Sequence, residues 1–421
     1  MARTAAPPST PRDARSSEGG PFASLMGSDA REWRTLWLVG HVWHVAYWID
    51  LAVLSWLVFQ LTGSALYVSL VGAARMAPFG VLGFLAGTWA DRMPKRTLLI
   101  VAQLLNLGGT VAFLLVLLAG VQEVWHIYAA AIATGTGWAI DFPVRRALIR
   151  DLVSEDRIAN AMALDAGSLV GSGLVGRLAA GALLGLGGPL AAYVVLAAMY
   201  AGALAVLVRV PSRPAAPRAI EGASVLRELR EGLAYVWRVP ALRGVLVVTV
   251  VVNIFVFPYF AVLPALLLGR FELGEGLFGV VGSVDSLGAI IATGTLIAFG
   301  VRRGFGTVFL GASLAVAVGV ALLGIAPTWP IAIPALLLAG LGGGGFAPMQ
   351  NTITATVAEE RMRGRAMGAS ALSIGALPVG MLYMGLLSEA VGTPLALTGS
   401  AIVGGALVLA IALTQPGLRR A

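Results

Sequence analysis

Gly87-Thr88-Trp89-Ala90-Asp91-Arg92-Met93-Pro94-Lys95-Arg96 separates two long apolar runs, roughly 64–86 and 97–120. Each run is long enough to cross a hydrocarbon core of about 30 Å, which takes about 20 helical residues. So short a connection makes the two runs antiparallel neighbours. Arg92, Lys95 and Arg96, with the carboxylate of Asp91, hold the connection on one side of a membrane.

Composition points the same way. Hydrophobic residues make up 58% of the 421 positions and charged residues 12%, too apolar for a soluble surface. Backbone groups in lipid must be satisfied internally, by helices or by a closed barrel. Unbroken apolar runs, rather than period-two alternation, select helices. The 54 glycines suit helices that approach closely in lipid. Cysteine is absent, which excludes disulfides, thiolate metal sites and cysteine nucleophiles. The net charge of +8 follows from cation-rich cytoplasmic loops. No basic stripe interleaved with aromatics marks a nucleic-acid site. No His-rich set or paired catalytic motif points to an enzyme, and no cofactor or metal is expected.

The expected fold is an all-α membrane protein. It has twelve transmembrane helices in two pseudo-symmetric six-helix bundles. Residues 1–30 read as a disordered cytoplasmic tail and 31–209 as an N-terminal bundle. Residues 210–240 read as a cytoplasmic linker and 241–421 as a C-terminal bundle. Within the linker, Leu226, Leu229, Leu233 and Val236 give an amphipathic helix lying in the cytoplasmic interface. Cations fall on the loops assigned to one side, and only Arg270 falls outside a span on the other. Both termini are therefore placed in the cytoplasm. A shift of 205 residues aligns Gly135 with Gly340, Gly137 with Gly342 and Pro143 with Pro348, and also Glu155 with Glu360. That is a parallel repeat of two halves, as in two-bundle transporters.

Ionisable residues inside spans are functional candidates. Asp50, on nearly one face with Trp43 and Tyr47, is the first candidate for proton coupling. Asp285, beside Ser283 and Ser286, is the second. Asp50 has an equally weighted reading as a structural ion pair with Arg75. Asp141 and Arg145, four apart, pair along one helix face as a gate or structural bridge, with Trp138 a turn away. Asp165 has similar standing. Trp43, Tyr47, Trp138, Asn253, Phe257, Gln350 and Asn351 are candidates for lining a substrate cavity. Three scattered histidines make no metal site. In the connection, Asp91 suits a helix N-terminus, and Arg92 and Lys95 reach carboxylates or helix ends nearby. Gly87, Asp91, Arg92, Lys95 and Arg96 then form a conformational latch, or merely set topology.

The pattern Gly-x-x-x-Asp-Arg-x-x-Lys-Arg between the second and third spans resembles the signature loop of the major facilitator superfamily. Pro94 stands where that family usually has Gly. The resemblance implies a cavity lined by spans one, four, seven and ten, with spans two, five, eight and eleven as rocking interfaces. Gly176 and Gly181 match a fifth-span element of drug–proton antiporters, in which Arg177 replaces Pro and Ala180 replaces Gly. Arg177 either snorkels outward or attracts an anionic substrate. Leu61-Thr62-Gly63-Ser64, Phe142-Pro143, Asp151-Leu152-Val153, Arg363-Gly364-Arg365 and Tyr235 to Leu242 together resemble bacterial exporters of the enterobactin-exporter type. These export siderophores, macrolides and other natural products.

The expected function is export of a small organic molecule across the bacterial cytoplasmic membrane by alternating access, driven by proton antiport. A facilitator or importer is the alternative, and a non-transporting receptor or scaffold the alternative of another class. The expected partners are a small-molecule substrate, protons and the lipid bilayer. Nucleic acid is not among them, and the protein is expected to be a monomer.

Overall fold

Proline disfavours helical backbone in the residue before it, and Met93 is extended at φ −118°, ψ 151°. Helix α2, Ala65–Arg92, therefore runs through most of the quoted stretch, and α3, Lys95–Ala119, starts directly after Pro94. The connection expected over 87–96 shrinks to two residues. Asp91 stands in the last turn of α2 rather than at a helix N-terminus, because the backbone hydrogen bonds continue to Met93 N–H on Trp89 O.

The structure is a computed structural model that describes residues 31–210, 225–301 and 304–419. The tail 1–30, the Pro-rich first part of the linker and the Arg302-Arg303 loop lie outside the described residues.

The first half holds α1 (Arg31–Thr62), α2, α3, α4 (Val124–Leu152) and α5 (Ile158–Leu207). The last of these makes two crossings, because Gly187 and Gly188 break it, the latter at φ +65° where glycine is favoured. The second half holds α7 (Pro240–Phe255) with α8 (Tyr259–Ala265), α9 (Glu275–Gly282) with α10 (Val284–Phe299), and α11 (Phe305–Ile325). It continues with α12 (Trp329–Val357), α13 (Arg363–Ile374) with α14 (Leu377–Val391), and α15 (Thr393–Thr414). A four-residue α16 (Pro416–Arg419) follows. Counting each interrupted pair once, the described residues make twelve crossings, so α1 begins and α15 ends on one face, here the terminal face. Leu186, Phe299, Leu395 and Ile297 are among the exposed apolar side chains that form the lipid-facing surface.

The amphipathic helix is present as α6, Val225–Arg238. It does not lie free. Val236 is buried against Leu242, Ala366 and Ala369, Glu231 pairs with Arg365, and the Tyr235 hydroxyl accepts from Glu359 N–H at 2.9 Å. Leu233 and Trp237 stay exposed.

The repeat is visible in the packing. A Cβ on Gly135 would strike the backbone of Arg75, and one on Gly340 the backbone of Asp285. Gly137 lies against Asn106 and Gly342 against Ala312 in the same way. The two halves touch through α2 with α14 and through α5 with α9 and α10, joining spans two with eleven and five with eight. The close approaches lie on the far face, where Gly181 meets Gly279, Ser69 meets Gly385 and Phe59 meets Gly269. Ser64 donates to Glu389 across the same face.

Gly340→Ala drives a methyl into the backbone of Asp285, whereas Gly399 faces open space. Thermal melts in detergent are expected to show Gly340→Ala destabilised by about 1–3 kcal/mol or more, with Gly399→Ala close to the parent. Equal melting of the two variants would contradict this packing.

Candidate functional site

Buried charge organises the first half. Asp50 has no exposed surface. Its Oδ2 takes Arg75 Nη1 at 2.5 Å and Thr134 Oγ1 at 3.1 Å, and its Oδ1 takes the Tyr193 hydroxyl at 2.6 Å. Four crossings thus converge on one carboxylate: α1, α2, α4 and the second arm of α5. Arg75 also stacks over the Tyr47 ring, 4.1 Å from its centroid.

Tyr47 continues into a row of rings. It meets Trp138 at 5.8 Å, which stacks on Phe79 at 4.7 Å and tilts toward Phe142 at 5.7 Å. Arg146 sits over Phe142 at 4.0 Å. Tyr47, Phe79, Trp138 and Phe142 are all partly exposed. Trp43, expected beside them, is instead buried against His44 and Tyr47.

Asp141 and Arg145 pair as their spacing implies, with Nε–Oδ2 and Nη2–Oδ1 both 2.8 Å. Arg145 Nη1 also donates to Leu36 O at 2.9 Å, in the space that Gly40 leaves by lacking a side chain. Asp165, on α5, lies within electrostatic range of Arg145, Arg146 and Asp141. His41 bonds Ser168 at 2.8 Å and tethers α1 to α5. No group of His, Asp or Glu able to hold a metal ion occurs among the described residues.

The second carboxylate has a different setting. Asp285 pairs with Arg177 from the other half. It also accepts from the Tyr259 hydroxyl at 3.1 Å. Arg177 donates further to Gly282 O at 3.0 Å and Ser286 Oγ at 3.1 Å, and lies over Trp48 at 4.5 Å. The Arg177 cation is thus met by a carboxylate, which neither sequence reading of it included. Arg177 borders a crevice between the halves that Trp48, Ser55, Phe260 and Phe278 help to line.

The second half has broken helices. The crossings are interrupted at Val256–Pro258, at Ser283 and at Gly375–Ala376. Phe257 lies at the first break and packs on Phe346 at 5.1 Å. Asn253 donates to Ser373 O at 3.4 Å, so it ties α7 to α13. Gln350 is buried and Asn351 exposed.

In the connection, Lys95 pairs with Asp151, and Arg96 donates to Leu207 O and Val208 O at the end of α5. Both contacts stay inside the first half. The side chains of Asp91 and Arg92, and the surroundings of Gly87, lie outside what the structure describes. Phe79, Phe142, Thr134, Tyr193 and Tyr259 escaped the sequence reading. Phe142 stands one helical turn from Trp138 and was open to a spacing argument, whereas Tyr193 and Tyr259 reach their carboxylates only through tertiary packing.

Comparison with known proteins agrees with this architecture. Residues 20–419 match the family described as transmembrane secretion effector. The chain is 28% identical over 337 residues to the multidrug efflux pump Tap of Mycolicibacterium fortuitum, covering 76% of this chain and 80% of that one. It is 30% identical over 239 residues to an uncharacterized MFS-type transporter, y4rN, of Sinorhizobium fredii (strain NBRC 101917 / NGR234), covering 53% and 56%. Among solved structures, a POT family transporter in complex with 5-aminolevulinic acid superposes with TM-score 0.74 at 13% identity, covering 93% of this chain and 98% of that one. A bacterial homolog of the human lysosomal transporter Spinster, in an inward-facing and unoccupied conformation, gives TM-score 0.72 at 14% identity, covering 93% and 98%. With the family matched over nearly its whole length and the fold shared with solved transporters, the chain belongs to the transmembrane secretion effectors of the major facilitator superfamily and is a multi-pass membrane transporter.

Proposed function

We propose that the protein exports hydrophobic, cationic organic molecules from the cytoplasm by alternating access, in exchange for protons. The reading rests on one observation above others: Asp50, Arg75, Tyr47 and Trp138 form an unbroken contact chain from a buried carboxylate to a partly exposed aromatic row. Cations bind aromatic faces. While Asp50 is charged it neutralises Arg75. Once Asp50 takes a proton, Arg75 is left as an uncompensated cation beside the same row. A cationic substrate and a proton then disfavour each other, and by linkage that mutual exclusion is antiport. Likeness to a multidrug efflux pump supports export as the direction.

The cation census puts the terminal face in the cytoplasm. The close contacts between halves then lie on the outer side, which is the arrangement of an inward-open state. Arg177–Asp285 is the outer lock, since it joins the halves beside the crevice. Its opening requires a new partner for Asp285, and a cationic substrate supplies one. Lys95 and Arg96 brace the first half, so that it rocks as a unit. Trp138, Phe257 and Asn351 complete the substrate surface.

Ethidium serves as the test cation in proteoliposomes. Asp50→Asn, which leaves Arg75 uncompensated as protonation does, is expected to abolish ethidium movement driven by a pH gradient, and to make ethidium exchange at uniform pH both slower than in the parent and independent of pH. Unchanged gradient-driven movement and pH dependence would sink the proton reading. A facilitator would equilibrate ethidium equally well with the gradient collapsed.

The chain has no cysteine, so a disulfide between Ser64→Cys and Glu389→Cys isolates the outer closure. Oxidation is expected to stop transport, and reduction to restore it. Full transport in the cross-linked protein would exclude movement of the halves about this face.

A further inference from the structure

Asp50 has no exposed atom, so a proton that reaches it must cross the interior of the first half. One face of α3 supplies the means. Gln103, Asn106 and Thr110 follow at helical spacing and are 0%, 1% and 0% exposed. Both amide atoms of Gln103, both of Asn106 and the Thr110 hydroxyl oxygen have no hydrogen-bond partner. Buried polar atoms are almost always bonded, to protein or to ordered water. Five orphaned atoms on one helix face therefore mark a place for water, which needs several polar partners to be held inside a protein.

The packing register says what this face connects. Asn106 lies flat against Gly137, where any larger residue would collide with it, and Gly109 lies against Ala133. Because α3 and α4 run antiparallel, Thr110 stands level with Thr134, whose hydroxyl reaches Asp50. By the same register Gln103 stands level with Asp141, the partner of Arg145. Tyr200, fully buried on the second arm of α5, is in electrostatic range of both Asp50 and Asp141.

We propose that Gln103, Asn106 and Thr110 hold a file of water molecules inside the first half, and that it carries protons between Asp141 and Asp50 apart from the substrate surface. The proton-relay part rests on the reading of Asp50 as the coupling acid. The groups facing Asp50 are Arg75 from α2, Thr134 from α4, and Tyr193 and Tyr200 from α5, with Tyr47 on its own helix. Those around Asp141 are Arg145, Arg146 and Asp165. With the halves open toward the terminal face, Asp50 gives its proton to the nearest water, each water takes one proton and gives one, and Asp141 takes the last and releases it toward that face. Asp50, charged again, closes on Arg75. The amides orient the waters and do not ionise. Asp50 is reloaded once the halves have opened the other way.

Water-edited solid-state NMR on the full chain in lipid tests the file directly. Magnetisation transfer from water to the Gln103 and Asn106 side-chain amides is expected, and dry amides would overturn the proposal. The relay is tested with Gln103→Leu and with Thr110→Val, which removes a hydroxyl at nearly constant shape; Asn106 is left intact because Gly137 allows it no room. Each variant is expected to slow gradient-driven ethidium movement at least about tenfold while ethidium exchange at uniform pH stays within about twofold. Undiminished gradient-driven movement would overturn the relay. If the parent protein itself moves no ethidium under a gradient, the antiport reading fails and takes the relay with it, and the NMR signal alone then decides the water file.

Discussion

A charge inside a helix bundle that faces lipid must find its opposite, since desolvation is repaid only by a close, hydrogen-bonded partner. That constraint organises this protein. Among the described residues three such pairs lie within the spans: Asp50–Arg75, Asp141–Arg145 and Arg177–Asp285. Two lie within the first half and make it a unit. The third crosses to the second half. The first half is thereby braced inside, and an ion pair joins it to the second.

Glycine lets the pairs form. The backbones of Arg75 and Asp285 are approached closely by Gly135 and Gly340, at matching places in the two halves. The same repeat positions carry a cation in one half and a carboxylate in the other. Each is then completed differently, Arg75 by Asp50 of its own half and Asp285 by Arg177 of the opposite half. The repeated fold thus holds one pair inside a half and one between the halves. Gly181 and Gly279 let the two helices that carry Arg177 and Asp285 approach closely.

The asymmetry extends to the helices. The first half keeps long helices through its centre, while the second interrupts three crossings near the middle. The partly exposed row from Tyr47 to Phe142 belongs to the continuous half, and Phe257 sits at a break in the other. The aromatic row thus stands on unbroken helices, and the half without it carries the breaks.

Helices, their number and their pairing into halves were legible in the sequence, because span length, charge placement and glycine spacing are written along the chain. The Asp141–Arg145 bridge was legible for the same reason, since four residues make one helical turn. The limits of the Gly87–Arg96 stretch were less so. Its charges signalled a loop, yet only Pro94 ends the helix, and backbone hydrogen bonding carried α2 to Arg92. The partners of Asp50 come from positions 75, 134 and 193, and that of Arg177 from position 285. No local rule links such distant residues. The Asp50–Arg75 pair was one of two readings that the sequence left open, whereas tertiary packing alone brought Tyr193 to Asp50 and Arg177 to Asp285, because the crossing geometry of the helices determines which faces share the dry interior.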